Sequence, residues 1–256
     1  MTASKNTQKF LLLLTVFTLM TAVNLSAQEA ITVESFNKVI VSPHVQATFT
    51  KGDKESVTIQ SCSVSPDKVH IESNGKVLRV YLEGAKEITK NEKVKASDES
   101  GRTVKQSIYK GTVLTVAITY KTLEDLSVRG EETILLKSKL DQDNFYLNIY
   151  GESKVYFEQV QLKKLRTTIY GESTLEFKAG HIADQKFTAY GESKVNALGI
   201  TNNISRATLY GESELKLNVS DQINVPAFGE AKIGYKGNPQ IKKGITIGKV
   251  LIYKID

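Results

Sequence analysis

The chain has one cysteine among 256 residues, three histidines and no tryptophan. A lone Cys62 excludes an internal disulfide, so the fold must be held by its core. There is no Cys-x-x-Cys pair, and His44, His70 and His181 are scattered, which leaves no zinc-ligand spacing. "IQSCSVS" around Cys62 reads as a strand end with a packed or edge thiol, not a nucleophile. Blocks of one charge sign are also missing. Lys and Glu alternate, and the formal charge of +6 falls to +4 without Lys5 and Lys9. Nucleic acid is therefore not the expected partner.

The one long apolar stretch, "FLLLLTVFTLMTAV" at 10–23, spans only about 21 Å as a helix, short of a roughly 30 Å hydrocarbon core. Lys5 and Lys9 precede it, and "LSAQ" offers cleavage after Ala27. Residues 1–27 thus read as a signal peptide, and the expectation is an exported chain in the periplasm, at the cell surface or outside the cell. The mature chain is expected to lack a membrane span, and no cysteine stands at the cleavage point to carry a lipid.

No stretch has an amphipathic helical period, which excludes helical solenoids. What is present is a repeat. "NIYGESKVYF" (148–157) returns as "TIYGESTLEF" (168–177), "TAYGESKVNA" (188–197) and "TLYGESELKL" (208–217). The turn glycines Gly130, Gly151, Gly171, Gly191, Gly211 and Gly229 are spaced 21, 20, 20, 20 and 18 residues apart. Around each, apolar residues alternate with period two, as in Leu147 and Ile149 before Gly151 and Val155 and Phe157 after it. A unit of this length cannot bury its own apolar face, so the copies must stack. Strand–turn–strand units stacked in register form a parallel β-helix with coils of about 20 residues, each about 4.8 Å above the last. Leucine-rich repeats share the period, but their Leu/Asn consensus is missing.

Stacking turns each repeat position into a column. The glycines allow a positive φ at a tight corner, and the small residues Ser153, Ser173, Ser193, Ser213 and Ala231 let coils approach. Tyr150, Tyr170, Tyr190, Tyr210 and Phe228 precede the glycines, and their parity predicts an outward aromatic ladder. Such a ladder shields the turns, and it also forms an apolar, hydroxyl-edged strip suited to a glycan or a surface protein. Glu131, Glu152, Glu172, Glu192, Glu212 and Glu230 follow the glycines. At coil spacing, neighbouring carboxylates repel by about 1 kcal/mol in water and about 3–4 kcal/mol at an effective dielectric of 20. Lys154, Lys194 and Lys232, two positions on, are expected to offset part of this. Weak Ca²⁺ binding stays open, but the Asp/Asn/Gly repeat of calcium-binding β-rolls is absent and no other cofactor is expected. Six equivalent glutamates supply six similar environments, which argues against an acid/base pair.

Residues 28–125 show strands without the repeat and are expected to cap or begin the solenoid, whose repetitive coils run from 126 to 256. "KVIVSPHVQATFTKGD" reads as two strands broken at Pro43, and "VHIESNGKVLRVYL" as a hairpin around Asn74-Gly75. The charged stretch 87–111 is expected to be an exposed loop.

Phe36, Val39 and Val41, then Gly52 before "VTI", then "LTVAITYKTLEDLSVRGEETI" (114–134) and the Gly-centred coils resemble the auto-transporter adhesin "head GIN" domain family of exported Bacteroidetes proteins. Gly-Glu-Ser, where small residues are more usual, and Ser42-Pro43-His44 are departures from that pattern. The resemblance implies an all-β, right-handed parallel β-helix with a β-rich N-terminal cap, a role in adhesion and no catalytic residues to carry over. The reading is a non-enzymatic adhesin or cell-envelope module that presents Tyr150, Tyr170, Tyr190 and Tyr210 beside Glu152, Glu172, Glu192 and Glu212. A carbohydrate-active enzyme, with a carboxylate of raised pKa in an irregular cleft, is the alternative. A structural scaffold oligomerising through an open coil end is the third.

Overall fold

The computed structural model describes residues 30–95 and 102–256; the expected signal peptide lies outside the described residues. From residue 125 to about 235 the alternation of apolar and polar residues becomes an alternation of buried and exposed ones, and the last strand is largely exposed. The N-terminal part contributes β1 (Ala30–Thr32), β2 (Lys38–Val41), β3 (Val45–Lys51), β4 (Ser56–Cys62), β5 (Val69–Asn74), β6 (Val77–Leu82), β7 (Asn91–Lys95), β8 (Thr103–Ser107) and β9 (Leu114–Tyr120). The coils contribute β10 (Asp125–Gly130), β11 (Thr133–Leu136), β12 (Leu140–Gly151), β13 (Lys154–Phe157), β14 (Val160–Tyr170), β15 (Thr174–Phe177), β16 (Gly180–Tyr190), β17 (Lys194–Lys236) and β18 (Gln240–Lys254).

The sequence period is the pairing register. β12, β14, β16 and β17 pair in parallel so that Tyr150 faces Tyr170, Tyr170 faces Tyr190 and Tyr190 faces Tyr210. After the corner, β11, β13 and β15 pair the same way, with Val155 beside Leu175 and Phe157 beside Phe177. β17 runs through several successive coils, and β18 pairs along its last part. The result is a parallel β-solenoid. Its interior is a set of apolar columns in which Phe145 meets Phe157 edge-on at 5.8 Å and Phe157 stacks on Phe177 at 4.8 Å. Each such ring, fully buried, contributes about 1.5–3 kcal/mol.

The N-terminal part joins this sheet directly. β2 pairs in parallel with both β10 and β6, and β3 with both β11 and β9. Residues 38–51 therefore make a coil sandwiched between one built from later strands β6 and β9 and one built from β10 and β11. Beyond it the pairing turns antiparallel: β5 on β6, β4 on β9, and β1 on β4. These strands cover the first open end, as an exposed edge requires. The β5–β6 hairpin turns on Gly75 and Lys76, both at positive φ (55° and 68°), which matches the strand twist as a type I′ turn does.

One expectation fails here. Residues 87–111 are not simply a loop: β7 and β8 pair antiparallel as a separate, largely exposed two-stranded sheet. Low apolar content kept it from packing into the core, but Val94 opposite Val104, with polar neighbours on either side, suffices for a hairpin. Among the described residues no helix is long and apolar enough to cross a membrane.

Candidate functional site

The repeated corner explains why Gly-Glu-Ser recurs. Gly151, Gly171, Gly191 and Gly211 hold φ between 103° and 116°, and a Cβ on Gly171 would lie 2.3 Å from the Gly151 carbonyl oxygen. That oxygen is close because it is used: it accepts the Glu172 N–H (3.0 Å) and the Ser173 hydroxyl (2.9 Å) of the next coil. Ser153, Ser193 and Ser213 donate in the same way to Gly130, Gly171 and Gly191. The serine column thus does more than permit close approach. It supplies the hydrogen bond that tethers each corner to the one before, and its buried side chains are satisfied by it.

On one side of the corners stand the tyrosines. Tyr150, Tyr170, Tyr190 and Tyr210 stack with centroids 4.8–5.3 Å apart and planes within 3°, and Phe228 continues the stack at 5.1 Å. The spacing is that of the strands, so the backbone sets it. At the other end Arg129, the residue in register with Tyr150, lies over its ring at 5.0 Å. Glu87 holds Arg129 together with Arg79. Ring faces are consumed by stacking and only edges and hydroxyls remain open, leaving Tyr170, Tyr190 and Tyr210 43%, 38% and 37% exposed. The ladder offers edges and hydroxyls to a ligand, not faces.

Past the corners the glutamates Glu172, Glu192, Glu212 and Glu230 line a groove of about 720 Å³, together with Lys194 and Lys232. No tyrosine lines it. The structure therefore brings the tyrosines together and the glutamates together, but the glycine corner separates the two sets. The expected offset by Lys154, Lys194 and Lys232 does not take the form of contact ion pairs: among the described residues none of them forms one with the glutamate column, although Lys194 and Lys232 share its groove. Only Glu230 is paired, to Lys249 at 3.4 Å, which replaces glutamate in the next coil. No group of three or more possible metal ligands occurs among the described residues.

A second cavity, of about 640 Å³, opens where residues 87–89 and 107–111 meet the Pro43-His44 corner. The His44 Nδ1–H donates to the Gly111 carbonyl and its Nε2 is hydrogen-bonded to the Thr89 hydroxyl, both at 2.7 Å; Ser42 donates to the Lys86 carbonyl. Glu132 occupies the serine column of its coil, its side chain only 4% exposed, where it accepts the Glu131 N–H at 3.0 Å. Burial raises its carboxyl above the ordinary 4.5, and backbone N–H groups of Glu131 and His44 offset part of that. Folding therefore favours the protonated form. The wild type is penalised as pH rises above the ordinary glutamate value and through the raised one, and the penalty is absent below both. Glu132→Gln is expected to gain on the wild type in urea midpoint as pH rises from below the ordinary glutamate value through the raised one. A difference that stays constant with pH would contradict this assignment.

Sequence reasoning missed Arg129, the serine tether and a basic column. Arg166, Lys186 and Arg206 fall in register, each four residues before a ladder tyrosine. The signal was the same 20-residue spacing, masked because the identities vary between Arg and Lys.

The solved structures of similar fold include "a putative adhesin" from Bacteroides fragilis, with a TM-score of 0.69 at 19% identity over 89% of this chain and 95% of that one. A "putative lipid binding protein" from Parabacteroides distasonis gives 0.64 at 17% identity over 89% and 96%. "A putative adhesin" from Parabacteroides merdae gives 0.62 at 16% identity over 89% and 95%. At such identities the likeness is one of fold. No curated protein matches the chain. Residues 35–239 match the family described as "Putative auto-transporter adhesin, head GIN domain", and the chain belongs to that family.

Proposed function

We propose that the protein is an exported, non-enzymatic adhesin whose contact surface is the corner region, with the tyrosine ladder as its recognition rail. The observation that carries this reading is the unbroken stack of exposed ring edges and hydroxyls at a fixed repeat, set beside a glutamate column that has almost no partners of its own. A periodic, pre-ordered surface binds an extended ligand at low ordering cost, and membership of an adhesin family supports the placement. The interior columns are filled by side chains, so recognition belongs on the outer surface.

The purified fragment 28–256 is to be screened on a glycan array and by calcium titration, beside a Tyr170→Ser/Tyr190→Ser variant. The variant should lose binding and stay folded, with about 0.5–1.5 kcal/mol of stability lost for each broken ring pair. Unchanged binding by the variant would sink the ladder's role.

The enzyme reading has one observation in its favour, the buried Glu132 beside an irregular cavity. Its carboxylate is engaged by the corner backbone, however, and the nearby Glu87 is held between Arg79 and Arg129. Neither is poised as the second member of an acid/base pair. Glycan hydrolysis that disappears in Glu132→Gln would reverse this preference.

A further inference from the structure

Read outward across one coil, Arg166 is followed by Thr168, Tyr170 and, past the corner, Glu172. The next coil gives Lys186, Thr188, Tyr190 and Glu192, and the one after it Arg206, Thr208, Tyr210 and Glu212, with the strand positions in register. The surface is thus four parallel columns: basic, threonine, tyrosine and acidic. The two charged columns have opposite sign and the same period, and each repels itself along the solenoid axis. Within the chain they are poorly neutralised. Arg206 pairs with Asp184, but Arg166, Lys186, Glu172, Glu192 and Glu212 have no ion-pair partner among the described residues.

We infer that this face docks against a second copy of the same chain, with the two solenoids side by side and their axes parallel. The inference rests on the reading of the ladder as a contact surface and names its partner. At about 3.3 Å per residue the basic column lies about 13 Å from the tyrosines along the strand, and the acidic column, past the glycine corner, at most about 7 Å beyond them. The midpoint between the charged columns falls between the threonine and tyrosine columns. A two-fold axis there, parallel to the solenoid axis, sets each basic column against the acidic column of the second copy, coil for coil. It also sets each tyrosine edge against a threonine. An axis perpendicular to the solenoid would oppose cation to cation. Because both copies share one rise per coil, the match continues along the strip without drift. The contact is self-complementary and closed, with tyrosine at its centre and charge at its rim. A strip at most about 20 Å wide over a few coils is small for a permanent dimer, so the pairing is weak and sensitive to salt. An extended polyanion would engage the basic column only and leave the glutamates unpaired, so the second copy is the occupant that neutralises both.

The test is sedimentation velocity of the 28–256 fragment over a concentration series at low and high salt. The wild type should form dimers whose association weakens by about tenfold or more between about 50 and 500 mM NaCl. Arg166→Glu/Lys186→Glu makes both columns acidic, and Glu172→Lys/Glu192→Lys makes both basic. Each variant alone should be monomeric, and an equimolar mixture of the two should restore a dimer. Arg166, Glu172 and Glu192 are exposed and Lys186 is partly exposed, and an unchanged circular dichroism melt establishes that each variant is folded. A wild type that stays monomeric at every concentration, or variants whose mixture fails to pair, overturns the inference. Glycan binding lost in the Tyr170/Tyr190 variant by a chain that never dimerises would retain the ladder reading and reject this partner.

Discussion

Gly171→Ala should cost about 3 kcal/mol or more and leave the fragment partly unfolded at physiological temperature. The cost is steric and has two sources. The residue sits at φ 116°, outside the range alanine adopts readily, and its new methyl would lie 2.3 Å from the Gly151 carbonyl oxygen and 3.1 Å from that carbonyl carbon. Those atoms are backbone, so relief requires the two coils to separate. Separation would break the Glu172 N–H and Ser173 hydroxyl bonds to the same oxygen. Gly75→Ala is the control: it too is at positive φ, but nothing lies within 4 Å of its added Cβ, so it should cost only about 1–2 kcal/mol. Urea denaturation of both variants measures the difference. Equal losses would show that φ alone, and not contact between coils, sets the demand for glycine.

Phe157→Ala should cost about 3–5 kcal/mol. Its ring is fully buried and touches Phe145 in its own coil and Phe177 in the next, so truncation leaves a void shared by two coils. In a stacked repeat, stability is a sum of unit and interface terms, and this change weakens both. A calorimetric melt should show a lower midpoint and a broader transition. A loss below about 1.5 kcal/mol would mean that the column collapses to fill the space.

The coils were legible because one number, 20, served as the sequence period, the pairing register and the column spacing at once. Nothing beyond that number was needed to place Tyr170 over Tyr190 or Val155 over Leu175. The cap was less legible. No local signal in "KVIVSPHVQATFTKGD" states that its coil lies between β6–β9 and β10–β11, since those partners are fixed by contacts up to 87 residues apart, such as Lys38 with Asp125. The glutamate offset was misread for a related reason. Alternation does put Glu192 and Lys194 outward on either side of the buried Ser193, but side-chain direction alone does not bring their charged heads into contact. Arg129 escaped notice because it stands where the other copies carry tyrosine, and only the stack shows it closing the ladder.

The interleaved coil at residues 38–51 constrains the order of assembly. One of its neighbours is completed only at Tyr120 and the other only at Leu136, so a chain appearing from its N-terminus cannot finish pairing this coil on either side until those residues are out. Repeat proteins otherwise nucleate locally and propagate, and the later coils here, each bonded to a segment 20 residues away, are built for that. Closure of the first coils over long sequence separation is the slow step by the usual dependence on contact order. The export proposed above would thus meet a chain that is still extended, and the coils would set quickly once the first regular corner has arrived.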